Sequence, residues 1–198
     1  MLGRFSKLFA VSVLFASLIV ASRCAQAQDN SRLAAQAHAL HHGNFTAPDG
    51  TVHTFAEFKS KVVVISLWAS WCPNCIQEIA SFREMQQLLG KENVEIVLVG
   101  YSDDWEAEKQ FARAHHVEFP IYAFGPSTQA ELDAAFDRAS GTTTLPQTLV
   151  WDADRWVKIA QSGAVDWTGK EMLPLMKKAL ACPGDNDKYP VASGCRLD

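Results

Sequence analysis

The chain has 198 residues, 48% of them hydrophobic and 20% charged, with 11 Gly and 8 Pro. That is enough apolar material for one domain with a sizeable core, and the composition excludes global disorder. A formal net charge of −4 opposes a phosphate backbone and excludes nucleic acid as the expected partner.

The first 27 residues read as a secretory signal. Arg4 and Lys7 make a basic start, Leu8 to Ala21 is free of charges, and Ala25-Gln26-Ala27 carries small residues at the two positions a signal peptidase reads. The apolar run is too short to cross about 30 Å of hydrocarbon comfortably. Cleavage before Gln28 sends the mature protein to the periplasm or the exterior; the rival is an uncleaved N-terminal anchor. Bulky Arg23 argues against lipidation at Cys24. Of the 5 cysteines, cleavage removes Cys24, and the rest fall into two natural pairs, Cys72 with Cys75 and Cys182 with Cys195. An even number suits an oxidising compartment.

Residues 28–44 are polar and Ala-rich and read as an N-terminal tether, or a short helix, outside the core. Asp49-Gly50 between Phe45 and Val52/Phe55 signals a small hairpin. Residues 62–68 (VVVISLW) read as a central strand covered on both faces. A helix follows Cys72, with Pro73 in its first turn and Ile76, Ile79, Phe82, Met85 and Leu89 at helical spacing, up to Gly90. Next come a buried strand over Val94–Val99, an amphipathic helix over Trp105–His115, a short strand over Ile121–Phe124 and a helix over Gln129–Arg138. Thr148–Trp151 and Trp156–Gln161 read as strands joined by the turn 152–155, and Thr168–Ala181 as a closing helix. This order predicts an α/β sandwich on a mixed sheet, with residues 45–181 as the domain and 182–198 as a tail.

The segment Trp68-Ala69-Ser70-Trp71-Cys72-Pro73-Asn74-Cys75 carries the chemistry. A bare C-x-x-C is ambiguous between zinc, an inert disulfide and redox work. Here a buried strand hands over to a helix, so Cys72 falls at the helix N-terminus, where free N–H groups and the dipole favour a thiolate. Cys75, one turn in, can attack the Cys72 sulfur, giving one accessible nucleophile and one sheltered resolving thiol. Cys182 and Cys195 do not have the spacing of a zinc ribbon or finger, and no metal or cofactor is expected. His38, His41 and His42 fall on one stretch, but three histidines without a carboxylate or cysteine are more often solvated.

On WASWCPNC at 68–75, Glu78, and Thr144-Leu145-Pro146 before a strand, residues 45–181 resemble the thioredoxin superfamily, and more narrowly its exported TlpA/ResA-like branch, which includes reductases of cytochrome c maturation. The resemblance implies a thioredoxin-like three-layer α/β/α sandwich and a cis-proline at Pro146 facing the cysteines. It also implies substrate contact through Leu145 and Pro146; Trp71, beside the nucleophile, reads as a partly exposed substrate platform rather than core filling, with Pro73 and Asn74 next to it. Ser66 stands where cytoplasmic thioredoxins carry a buried Asp, and Glu78 matches the glutamate that the TlpA/ResA-like branch uses in proton handling. Residues 140–145 (SGTTTL) depart from the glycine-containing signature usual before the proline in cytochrome-maturation reductases.

The expected activity is reduction of protein disulfides by a monomer: Cys72 as nucleophile, Cys75 resolving, Glu78 as proton acceptor, and a membrane thiol carrier as electron donor. The alternatives are an oxidase or isomerase using the same pair, or a non-enzymatic module gripping a client or copper. A peroxidase is disfavoured, since Ala69 stands where a threonine would precede the cysteine. Cys182 and Cys195 are expected to form a disulfide that pins the tail; the alternative is a second redox pair relaying electrons to Cys72.

Overall fold

In a computed structural model of the chain, the described residues are 31–101, 104–125, 134–135, 144–152 and 157–181. Seven strands form one mixed sheet: β1 (Asn44–Thr46), β2 (Val52–Thr54), β3 (Val62–Trp68), β4 (Val94–Gly100), β5 (Ile121–Phe124), β6 (Gln147–Trp151) and β7 (Val157–Ser162). Their order across the sheet is β2-β1-β5-β4-β3-β6-β7. Helix α1 covers residues 31–42, α2 Pro73–Leu89, α3 Trp105–Ala114 and α4 Met172–Ala181. The fold is thus the expected thioredoxin-like α/β sandwich with a central mixed sheet.

β3 is the hub. Every one of its residues is buried, as an unbroken β-branched and apolar run requires when both faces are covered. It pairs in parallel with β4, from Val62↔Val94 to Trp68↔Gly100, and antiparallel with β6, from Val63↔Trp151 to Leu67↔Gln147. Because β4 and β6 flank it, whatever stands above the C-terminal end of β3 is reached from both sides. The Leu67↔Gln147 pair brings Leu145-Pro146 to that same end.

Alternation along the strands separates the two layers of helix. Ser66 and Trp68 face α2 and α3: Ser66 meets Glu78 of α2, and the Trp68 ring lies 5.7 Å from Phe111 of α3. α4 shares this layer through the preceding Trp167, whose ring lies 5.3 Å from Phe82. On the opposite face Trp151 packs 5.1 Å from Phe55, and Phe55 lies 4.9 Å from His41 of α1.

That last contact corrects one expectation. Residues 31–42 do not lie outside the core: Ala37, Ala39 and Leu40 are buried within it, as is polar Gln36. An Ala-rich segment with few large apolar residues reads as solvated, yet small side chains let a helix lie close against a sheet. The closing helix also differs, beginning at Met172 rather than Thr168. Asp166 Oδ1 accepts from the amide and hydroxyl of Thr168, and Gly169 N–H donates to the Asp166 carbonyl, so residues 166–169 form a turn first. The helix expected over 129–138, residues 153–156 of the second hairpin, the leader and the 182–198 tail fall largely or wholly outside the described residues. Among the described residues no helix is long and apolar enough to cross a membrane.

Candidate active site

Cys72 is the N-cap of α2, with extended backbone, and Pro73 occupies the first turn. Proline fits there because its missing N–H would have no helical partner. The Cys75 amide lies 3.2 Å from Cys72 Sγ and donates to it, one of the free N–H groups that a helix start offers to a sulfur. The two cysteines form a disulfide with Cα atoms 5.3 Å apart. Cys72 is 5% exposed and Cys75 1%, so the first is the more accessible, by a narrow margin.

Around this slit the surface is open and partly apolar. Trp71 is 64% exposed, and Pro73, Asn74 and Ile76 are exposed beside it. A large indole left in water next to a buried sulfur pair is a surface that gains by being covered. Leu145 and Pro146 are buried, and the peptide bond between them is cis. The Pro146 carbonyl is held by Gly163 N–H at 2.8 Å, which fixes the segment to the end of β7.

Glu78 lies one turn beyond Cys75 and is 1% exposed. Its two oxygens have different company. Oε1 accepts from the Trp167 indole N–H at 2.9 Å and from the Val165 amide at 3.4 Å. Oε2 faces two hydroxyls: Thr148 Oγ1 at 3.0 Å and Ser66 Oγ at 3.3 Å, themselves 2.9 Å apart. Burial pushes the carboxyl above its usual range; the bonds from Trp167, Thr148, Val165 and Ser66 pull it back in part. An N–H can only donate, whereas a hydroxyl can turn and accept. A proton on Glu78 therefore belongs on Oε2, the side facing Ser66 and Thr148.

The sequence pointed to Glu78 but not to its cradle. Trp167 reads as a packing residue, and Ser66 reads only as a missing aspartate. Thr148 opens the apolar run Leu149-Val150-Trp151 on β6, and its place at the head of a buried strand was the available signal. A second buried carboxyl, Glu108 on α3, was missed altogether. It is fully buried, and its Oε2 accepts from the Ser70 amide at 2.9 Å. Elsewhere, the rings of His38 and His42 lie 4.4 Å apart and those of His41 and His42 4.8 Å. Among the described residues no group of three or more His, Cys, Asp or Glu is placed to hold a metal. Cys182 and Cys195 lie outside the described residues.

Comparison with known proteins agrees with this geometry. The chain is 27% identical to the thiol-disulfide oxidoreductase ResA of Geobacillus thermodenitrificans over 61% of this chain and 69% of that protein. It is 26% identical to the thiol:disulfide interchange protein DsbE of Vibrio cholerae over 68% and 69%. With ResA of Geobacillus kaustophilus the identity is 29%, over 38% of this chain and about half, 48%, of that protein. Among solved structures, a thiol:disulfide interchange protein of the thioredoxin family from Chlorobium tepidum superposes with a TM-score of 0.55 at 23% identity, covering 70% of this chain and 94% of the other. A secreted disulfide oxidoreductase of Mycobacterium tuberculosis gives 0.52 at 17%, covering 73% and 97%. The Redoxin family matches residues 30–180, which takes in α1 as well as the sheet, and the chain belongs to that family, as a ResA-like member of the thioredoxin superfamily.

Proposed function

We propose that the protein is an exported thiol–disulfide oxidoreductase that reduces disulfides in other proteins. The observation that carries the reading is the Cys72–Cys75 pair at the start of α2, with a buried carboxyl one turn further along. The relatives' names, ResA and DsbE, support the same exchange chemistry. Residues 1–27 support export, with the mature chain beginning at Gln28 in the periplasm.

In this reading the Cys72 thiolate attacks one sulfur of a substrate disulfide. An S–S bond forms between Cys72 and that sulfur, and the other substrate sulfur leaves as a thiolate and takes a proton. Cys75 then gives its proton to Glu78 Oε2 and attacks Cys72 Sγ. The Cys72–Cys75 disulfide closes, and the second substrate sulfur leaves. The substrate gains two electrons, and the pair ends in the oxidised state seen here. Trp71, Pro73, Asn74, Leu145 and Pro146 supply the surface on which the substrate lies. A membrane dithiol carrier must then restore the pair, since an oxidising compartment does not. The protein works as a monomer, and Cys182 and Cys195 staple the tail.

The test is the reduction potential of the pair together with insulin reduction. A potential well below that of a strong oxidant such as DsbA, about −120 mV, with insulin reduction abolished by Cys72→Ser, is expected. A potential near that of the oxidant, with faster oxidation than reduction of a model peptide, would overturn the reductase direction.

A further inference from the structure

Glu78 is not the only acid buried beside the cysteines. β4 and β6 flank β3, and each backs a carboxyl: Thr148 of β6 bonds Glu78, while Gly100 of β4 lies under Glu108. A Cβ at Gly100 would stand 3.5 Å from Glu108 Cγ and 3.4 Å from the Trp105 ring, ordinary van der Waals contact, so the acid packs directly over the end of the strand. Glu108 then reaches across to the segment that joins β3 to α2 and takes the Ser70 amide, two residues before Cys72.

This acid has only half of what a buried carboxylate needs. Oε1 is buried and has no hydrogen-bond partner. Nor has the indole N–H of Trp68, whose ring packs on Phe111, one turn along α3 from Glu108. A satisfied structural carboxylate would have both oxygens paired. Glu108 instead holds one backbone amide of the active-site segment and keeps its other oxygen unpartnered.

We propose that Glu108 is a positioning residue for Cys72: through the Ser70 amide it sets how residues 69–72 present the thiol, and it couples the reactivity of that thiol to its own protonation. The proposal rests on the dithiol exchange argued above and adds a second acid to it. A carboxylate accepts the Ser70 N–H about twice as strongly as a neutral acid does. Its charge also opposes a thiolate two residues from the amide it holds. Deprotonation thus tightens the segment and makes Cys72 harder to ionise.

Burial pushes Glu108 up to about 7, against the pull of the Ser70 amide, and Asp104 adds repulsion. Among the described residues the other charges nearby do not compensate it. On α3, Lys109 is turned to Glu106. β3 carries no titratable side chain, and β4 carries only Glu95, at its far end, with Tyr101 following Gly100. α2 turns Arg83 to Glu118, beyond the end of α3, and the 69–72 segment itself brings Cys72.

The experiment is the pH profile of Cys72 alkylation by iodoacetamide in the reduced full chain, with the modified peptide read by mass spectrometry. Wild type should show two inflections, one from the thiol and one near neutrality. Glu108→Gln keeps an oxygen for the Ser70 amide and should show one, with the ratio of variant to wild-type rate rising at least about twofold from pH 5.5 to 8. Asp104→Asn keeps the cap on Ala107 N–H at 2.9 Å and removes the repelling charge, so it should move the neutral inflection toward acid. This second variant serves if Glu108→Gln does not fold. Profiles of identical shape in wild type and the folded variants would overturn the proposal. Alkylation reads Glu108 whichever way electrons flow, whereas loss of the reductase reading would show in the potential and in insulin turnover.

Discussion

The indole N–H of Trp167 donates to Glu78 Oε1 at 2.9 Å, across 89 positions of chain. Trp167 is fully buried against Phe82, so its N–H has no access to water and Glu78 is its acceptor. Because this bond favours the charged carboxyl, it offsets part of the upward push from burial. Trp167→Phe should keep the packing and lose the bond. Glu78 would then hold its proton to higher pH, and the alkaline rise in substrate release should move to higher pH in single-turnover kinetics. The lost bond should cost about 1–2 kcal/mol of stability by chemical denaturation.

Glu78→Gln separates the two halves of the exchange. A glutamine can turn its oxygen to Trp167 and Val165 and its amide to the two hydroxyls, so the fold should hold. It cannot take the proton of Cys75. Formation of the Cys72 mixed disulfide should proceed at a similar rate, while release slows by about 100-fold. Stopped-flow reaction with a fluorescent disulfide peptide, with acid trapping, resolves the steps; equal release in both proteins would make Glu78 structural.

Stability should fall as pH rises through neutrality. Glu108 has a folded value near 7 against an ordinary 4.5, so the native state binds more protons in between. Its contribution is fully present below about 4.5 and lost as pH climbs through about 7. Glu78 is displaced in the same direction. Glu108→Gln should flatten this decline by about 1–2 kcal/mol, allowing for screening by solvent, as measured by urea midpoints at pH 5 and 8.

Leu40 distinguishes a docked helix from a loose leader. It is fully buried, and Leu40→Ala should cost about 3 kcal/mol in urea unfolding, whereas a residue in a solvated tether would cost less than about 0.5.

Lys158 lies 3.1 Å from Asp152 Oδ2, and Asp152 is fully buried at the end of β6. Lys158→Met removes the cation from that buried carboxylate and should destabilise by about 1–3 kcal/mol while leaving alkylation of Cys72 unchanged. Thermal melting and the alkylation assay check both parts.

The strands and the cysteine pair were legible because their signals are local. VVVISLW is short, β-branched and unbroken, which marks a strand covered on both faces, and a cysteine followed by proline after such a strand marks a helix start. Glu78 stood out by its spacing from Cys75. What surrounds Glu78 was not legible, because Ser66, Thr148 and Trp167 come together only when β6 and the turn before α4 close over β3. Glu108 was hidden for a related reason. In Trp105–Ala114 it is one of several charged residues on an amphipathic helix, and nothing in the run says that this one faces inward. Gly100, over which it packs, reads as an ordinary strand end and does not mark the acid above it. The docking of α1 escaped because alanines give a weak periodic signal even when they are the buried face.

α1 also limits reach. A free segment of that length would let the catalytic face wander over roughly 20 Å from its point of attachment. With Ala37, Ala39 and Leu40 set into the core, the helix is part of the body and not a leash. The point of attachment at residue 31 is therefore fixed relative to Trp71 and Cys72. Whatever reach the protein has from a tether must come from residues ahead of α1, since the helix itself adds none.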